Sequence, residues 1–115
     1  MNRVEVVRPA EVEIHTIPGG SRVKRFLTPD KDGSGFILGL ATIDAGADHE
    51  IKVTLQGKDE AYYMLKGKLS LMCSQRELEA KEGDVVLFRS GKRYKVTNIG
   101  NEPAILLYVI CPSLK

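Results

Sequence analysis

Apolar residues along this chain occur in short runs and do not keep the 3.6-residue period of an amphipathic helix. Within the runs, apolar and polar residues alternate or the residues are apolar throughout, which is typical of β-strands. Clusters of Gly, Pro, Asn and Asp separate the runs at intervals of about ten residues. The predicted strands cover residues 12–16, 22–27, 35–43, 49–55, 60–66, 68–74, 85–88, 94–98 and 104–111.

This spacing of strands and turns predicts an all-β sandwich, jelly roll or barrel. Residues 104–110 are apolar on both parities, so we expect a central strand that is buried on both faces. Residues 75–81 favour a hairpin turn and a short strand over a helix. Residues 4–8 form either an edge strand or an arm that reaches a partner subunit.

Length and charge exclude several classes of protein. A chain of 115 residues forms one domain, and a net charge of +2 argues against nucleic-acid binding through bulk charge. No apolar run approaches the ~18 residues of a membrane span, and the first residues lack the apolar core of a signal peptide. Two cysteines, Cys73 and Cys111, are expected to be inert buried thiols in a reducing cytoplasm.

Two spaced motifs lie in the second half of the chain. Glu60 is followed after six residues by Gly67, and Gly83 precedes Gly91 and Asn98. This arrangement resembles the cupin superfamily, whose motifs read G-x5-H-x-H-x3,4-E-x6-G and G-x5-P-x-G-x2-H-x3-N. The resemblance covers about residues 35–112. It implies a double-stranded β-helix, a jelly-roll barrel that is often a homodimer, with N-terminal strands and an arm over 1–34 and a barrel core over 35–115.

The expected metal ligands of that family are mostly missing. Its two first-motif histidines fall on Thr54 and Gln56, or on Val53 and Leu55 with the longer spacing, and Glu60 alone is retained. In the second motif Arg89 takes the proline place and Tyr94 the histidine place. Threonine, glutamine and tyrosine are poor substitutes for imidazole ligands, so we expect no metal and no other cofactor.

The sequence does not decide which side chains of residues 49–55 point into the barrel. Hydrophobicity favours the odd positions, which would place His49 inward near the barrel mouth, whereas a bulge would shift the register. An inward His49 allows an alternative, a degenerate metal site with Glu60 and a third ligand. A histidine on the surface or in a turn is the other interpretation.

Glu60 is the candidate catalytic residue. A carboxylate in an apolar barrel has a raised pKa and can act as a general acid or base near neutral pH. Tyr94 shares a strand face with Val96 and Asn98, so we expect it to face Glu60 as a partner acid or orienting donor. The alternative is structural: Glu60 is held by Tyr94 or Gln56 in an internal hydrogen bond, and Tyr94 fills the barrel.

Other polar positions around the motifs are candidate substrate-binding residues. A basic group at residues 89–95 surrounds the second motif and would attract an anionic substrate, whereas Arg22, Lys24 and Arg25 give a strand one charged face. The predicted substrate-binding residues are His49, Thr54, Gln56, Tyr62 and Arg89.

The sequence therefore predicts a small-molecule-binding cupin with a metal-poor pocket. The favoured function is a metal-independent isomerase, epimerase, cyclase or lyase that acts on a small polar or anionic compound. One alternative is a ligand-binding or sensing module without catalysis, and the other is the degenerate metal cupin. The expected partners are a small molecule and a second copy, with neither nucleic acid nor membrane.

Overall fold

The computed structural model describes residues 4–53 and 57–112, and the side chains of residues 49–53 lie outside that description. Strands dominate these ranges, with a 3₁₀ turn at Pro9–Glu11 and a one-turn helix, α1, at Pro29–Asp32. The strands are β1 (Ile14–Ile17), β2 (Ser21–Leu27), β3 (Ile37–Ile43), β4 (Asp48–Val53), β5 (Lys58–Lys66), β6 (Lys68–Cys73), β7 (Arg76–Lys81), β8 (Val85–Phe88), β9 (Lys92–Asn98) and β10 (Ala104–Pro112).

The strands form two antiparallel sheets. The larger sheet has the order β1-β2-β3-β10-β5-β8, and the smaller one has the order β4-β9-β6-β7. Side chains from the inner faces of both sheets make one core, in which the largest fully buried apolar residues are Ile43, Met64, Leu69, Phe88, Val96 and Leu106. Two packed antiparallel sheets confirm the predicted all-β jelly roll.

All nine predicted strands are present, with ends that differ by a few residues. Residues 76–81 form strand β7, as favoured over a helix. Residues 4–8 lie outside any strand and are exposed, so the interpretation as an edge strand within this fold is wrong. In the described ranges, no helix is long and apolar enough to cross a membrane.

Strand β10 occupies the centre of the larger sheet, between β3 and β5. Its inner residues Ala104, Leu106 and Tyr108 are buried, whereas the residues that alternate with them are only half-buried. The prediction of a central strand is confirmed, and the prediction of burial on both faces is wrong. Apolar side chains on the outer face of this strand remain partly exposed.

The glycine that ends the first motif is required by the turn between β5 and β6. Gly67 has a φ of 94°, a backbone angle that residues other than glycine rarely adopt. A Cβ at this position would lie 2.7 Å from the Cα of Ala104. The family spacing from Glu60 to Gly67 therefore corresponds to a close approach between this turn and the start of β10.

Asn98 ties together three segments at one end of the fold. Its Nδ2 donates hydrogen bonds to the carbonyl oxygens of Ile43 and Glu102, both at 2.9 Å. Its Oδ1 accepts a hydrogen bond from the Gly100 amide at 2.8 Å. The side chain is 2% exposed, so water cannot replace these partners. This explains the motif asparagine without any role in catalysis.

We expect Asn98→Ala to lower the free energy of unfolding by about 2–4 kcal/mol, because buried backbone groups lose their partners. Urea unfolding followed by circular dichroism measures the change. Asn101→Ala, in the exposed turn before β10, is the control and should change stability by less than about 0.5 kcal/mol. Equal stabilities of the two variants would contradict the structural role of Asn98.

Candidate active site

A cavity of about 410 Å³ lies on the inner face of the larger sheet. Strands β1, β2, β3, β5 and β10 contribute its described lining, which is mainly aliphatic. Its polar members are Ser21, Arg25, Glu60, Tyr62 and Tyr108. Cavities of this size and composition hold small molecules.

The strand register explains why these polar residues meet. Tyr108 on β10 lies opposite Gly39 on β3 and Tyr62 on β5. Arg25 on β2 lies opposite the same glycine. Residues opposite each other in antiparallel strands share one face of the sheet, so this row runs across four strands of the cavity floor. In the adjacent row, Glu60 lies opposite residues of β8 and β10.

The carboxyl group of Glu60 is the buried ionisable group of the cavity. The residue is 9% exposed, and burial raises its pKa from the usual 4.5 to about 7. Among the residues that the structure describes, no ion pair or hydrogen bond to this carboxylate offsets the effect of burial. Near neutral pH both protonation states of Glu60 are therefore populated, as general acid–base catalysis requires.

Two tyrosine hydroxyls share the cavity with this carboxyl. Burial, with the nearby charge of Glu60, raises the pKa of Tyr62 well above its usual value. Burial also raises the pKa of Tyr108, although a hydrogen bond and the positive charge of Arg25 oppose that shift. Both tyrosines therefore keep their protons at neutral pH and remain hydrogen-bond donors.

Gly39 makes room for the Tyr108 ring. A Cβ on Gly39 would lie 2.5 Å from Cζ of Tyr108 and 2.6 Å from the carbonyl oxygen of Lys24. The ring thus covers Gly39 on β3, and its hydroxyl lies within electrostatic range of Arg25 on β2, the strand beyond β3. Arg25 is exposed and also borders an outer groove, so its guanidinium lies at the cavity mouth.

Tyr94, the predicted partner of Glu60, lies outside the described cavity lining. Its ring packs against Phe88 with 5.0 Å between centroids, and Phe88 packs in turn against Tyr62. Its hydroxyl accepts a hydrogen bond from the Arg89 amide at 3.1 Å and donates one to the Arg89 carbonyl oxygen at 3.3 Å. The inward orientation follows the strand parity, but Phe88 is interposed between this tyrosine and the cavity.

The remaining candidate residues lie apart from the described lining or outside the description. Arg89 is exposed beyond β8, and its backbone holds Tyr94. Thr54 and Gln56 lie outside the described residues. The backbone of His49 pairs with that of Val96, but its side chain is not described, so its orientation stays a prediction. Tyr62 is the predicted substrate-binding residue that does line the cavity.

Both cysteines are free thiols. They are half-buried, so they are more exposed to solvent than the sequence predicted. His15 is exposed, and its Nε2 lies 3.9 Å from the Glu13 carboxylate.

The described residues do not fit a metal. Among the described side chains, those of residues 4–48 and 57–112, no three of His, Cys, Asp or Glu cluster as a metal-binding group. Glu60 is the carboxylate of the described lining, and the other polar groups there are hydroxyls and a guanidinium. Hydroxyls that keep their protons and a permanent cation are unsuited to a divalent ion.

Sequence reasoning missed Arg25 and Tyr108. The run of basic residues groups Arg25 with Arg22 and Lys24 on one charged face, although its parity differs from theirs and matches that of buried Val23. That break in the alternation was the available signal. Tyr108 lies in a run that is apolar on both parities, so the sequence alone did not show which of its residues face the cavity.

The raised pKa of Glu60 predicts a stability that depends on pH. The folded state binds this proton more tightly than the unfolded chain, so the stabilisation is complete below pH 4.5. It is lost as pH rises towards about 7, in total about 3 kcal/mol. Glu60→Gln should remove this slope and unfold at higher urea concentration than the wild type above pH 7. Glu82→Gln, an exposed control, should keep it; parallel profiles for both variants would contradict the burial of a charge.

Many solved structures share the fold of this chain. A protein described as a predicted oxalate decarboxylase from Thermotoga maritima superposes with a TM-score of 0.81 at 22% identity, over 94% of this chain and 99% of that one. A sugar phosphate isomerase from a cupin superfamily of Silicibacter pomeroyi gives 0.73 at 23% identity, over 95% and 76%. The polyketide cyclase RemF from Streptomyces resistomycificus gives 0.75 at 12% identity, over 94% and 79%.

No curated protein matches the chain. The family model described as "Cupin domain" matches residues 39–110, which begin at the glycine beneath Tyr108 and end in β10. This match covers more than half of the 115 residues. Together with the two-sheet fold and the retained motif residues, it shows that the chain belongs to the cupin family.

Proposed function

We propose that this cupin is a metal-independent acid–base enzyme that isomerises, epimerises, cyclises or cleaves a small polar or anionic compound. The observation that carries the proposal is the position of Glu60 in an apolar cavity, with a pKa of about 7. A carboxyl with that pKa accepts and returns a proton at neutral pH without a large penalty in either direction. Such a carboxyl suits reactions that begin with removal of a proton from carbon or from a hydroxyl group.

The two cavity tyrosines support the same chemistry. Removal of a proton next to a carbonyl group leaves negative charge on the carbonyl oxygen. Tyr62 and Tyr108 keep their protons, so either hydroxyl can donate a hydrogen bond to that oxygen. In this proposal they take the donor role that the sequence assigned to Tyr94.

Arg25 supports an anionic substrate. Its guanidinium lies at the cavity mouth, close enough to Tyr108 for its positive charge to oppose the rise in the pKa of that hydroxyl. A guanidinium binds carboxylate or phosphate oxygens with two parallel hydrogen bonds. We propose that the substrate places its reacting carbon near Glu60 and its anionic group near Arg25.

The neighbours with related folds support a small-molecule substrate and leave the reaction open. Their descriptions name a decarboxylase, an isomerase and a cyclase, which are different reactions on one scaffold. Fold likeness alone does not select among them. The proposal therefore depends on Glu60 and its surroundings. Its proposed setting is the cytoplasm, where two free thiols remain reduced.

Exchange of substrate hydrogen with solvent tests the proposed proton transfer. Short keto and hydroxy carboxylates and sugar phosphates are first screened for thermal stabilisation of the wild type. Each binder is then incubated with enzyme in D₂O and followed by proton NMR. Glu60→Gln should slow the exchange by about 10²–10⁴-fold, whereas the dissociation constant should change little. Glu82→Gln is the matched control and should exchange at the wild-type rate.

The other outcomes of that experiment are informative. Binding without exchange by the wild type would identify a ligand-binding module, and the lack of any binder would contradict the substrate class. Elemental analysis of untagged protein accompanies the assay. One metal ion per chain that is lost in His49→Ala would overturn the metal-independent part of the proposal and restore the degenerate metal site.

Arg25→Gln tests the proposed anion contact. We expect binding of carboxylate ligands from the screen to weaken about tenfold, because a charged hydrogen bond worth about 1.5 kcal/mol is lost. Arg22→Gln is the matched control: it lies on the same strand but is paired with Asp44, 3.0 Å away, outside the cavity. Calorimetric titration measures both. Equal losses in the two variants would show that Arg25 acts only through the general charge of the protein.

A further inference from the structure

The polar side chains of the cavity lie together in one part of it. Arg25, Tyr108 and Tyr62 lie in one row across the sheet, and Glu60 lies in the row on one side of them. We call these four residues the polar part of the cavity. Arg25 is the cation of the described lining, so the anionic group of a bound compound belongs here.

On the other side of that row the cavity is aliphatic. Val23 on β2 lies opposite Ala41 on β3, and in the row beyond them Ile17 and Ile43 lie on either side of Ser21. Rows on one face of a sheet are two residues apart, so these side chains lie about 7–13 Å along the strands from the polar part. We call the four apolar residues the aliphatic end.

The aliphatic end offers few hydrogen-bond partners to a ligand. The backbone amide and carbonyl groups of its strands pair with those of neighbouring strands. Ser21 is the polar side chain of the described lining at this end, and it is only 3% exposed. The several hydroxyl groups of a sugar would lose their hydrogen bonds to water there without full replacement, which weakens binding.

We propose that the substrate of this cavity is a carboxylic acid with an apolar side chain, an alkyl chain or an aromatic ring, which the aliphatic end holds. This inference rests on the proposed acid–base function, in which the anionic group binds near Arg25 and the reacting carbon lies near Glu60. Of the compounds in the screen described above, it selects carboxylates with apolar side chains over sugar phosphates.

The size of the cavity agrees with such a compound. A dry apolar cavity of about 150 Å³ is large enough for one benzene molecule. This cavity measures about 410 Å³, so it has room for a ring or a chain of several carbons and for a carboxylate near Arg25. Burial of one methylene group improves affinity about fourfold, so we expect affinity to grow with the length of the side chain.

Calorimetric titration with 2-oxo acids tests this proposal. The dissociation constant should fall about 50-fold from pyruvate to 2-oxohexanoate, whose chain has three more methylene groups. The compound 2-oxogluconate has the same number of carbons with hydroxyl groups along the chain, and it should bind at least about 100-fold more weakly than 2-oxohexanoate. An affinity that does not change with chain length, or tighter binding of 2-oxogluconate, would overturn the proposal.

Ile17→Ala removes part of the aliphatic end at a position that is only half-buried, so the variant should fold. The preference for 2-oxohexanoate over pyruvate should fall about fivefold, because the alkyl chain loses apolar contacts. Ile14→Ala is the matched control, since this isoleucine lies on the same strand but is 61% exposed and outside the described cavity lining. It should keep the wild-type preference, and equal losses in the two variants would contradict the role of the aliphatic end.

Ala41→Leu fills the aliphatic end from the neighbouring strand. It should reduce the preference for 2-oxohexanoate to less than about fivefold, because the added carbons occupy the space of the alkyl chain. A folded variant that keeps the full preference would overturn the proposal. Circular dichroism shows whether the variant folds, and if it does not, the comparison of Ile17→Ala with Ile14→Ala decides.

The same ligands separate this proposal from the proposed reaction. A preference that grows with chain length, without hydrogen exchange in D₂O, would contradict the reaction and support the aliphatic end as a binding site for apolar carboxylates. Exchange of a sugar phosphate but not of 2-oxohexanoate would overturn the inferred substrate class and support the acid–base function.

Discussion

The pairing of β10 with β3 on one side and β5 on the other determines which side chains meet in this protein. The same register that aligns Tyr108 with Tyr62 on the inner face aligns Leu107 with Tyr63 on the outer face. A shift by one residue would move every one of these side chains to the opposite face. The lining of the cavity and the pairing of Leu107 with Tyr63 on the other side of the sheet are therefore two results of a single strand pairing.

The burial of Glu60 lowers the stability of the fold at neutral pH and, at the same time, gives the carboxyl the pKa that acid–base catalysis needs. Charging this carboxyl in an apolar cavity opposes folding, and small domains have only about 5–15 kcal/mol of net stability. The fully buried residues between the two sheets, together with the hydrogen bonds of Asn98, supply the stability that tolerates it. The retained motif asparagine thus supports the fold, whereas the retained motif glutamate occupies the cavity.

Much of the fold was predictable because alternation along a strand is a local signal. The inward parity of Glu60 and Tyr62 followed from it, and so did the strand that contains Tyr94. The cavity itself was less predictable, because it depends on distant residues that meet through the register. Nothing near Tyr108 in sequence indicates that Gly39 leaves space for its ring, and nothing near Tyr94 indicates that Phe88 stands in front of it. The positions of Thr54 and Gln56 relative to Glu60 stay predictions.

The glycine beneath Tyr108 has an evolutionary consequence. Because a Cβ at position 39 would occupy the space of the tyrosine ring, a larger residue there is compatible only with a smaller residue at position 108. The two positions are neighbours across strands but are 69 residues apart in the chain. Divergent members of this lineage should therefore change both positions together, and each such exchange would move a hydrogen-bond donor out of the cavity and alter the range of accepted substrates.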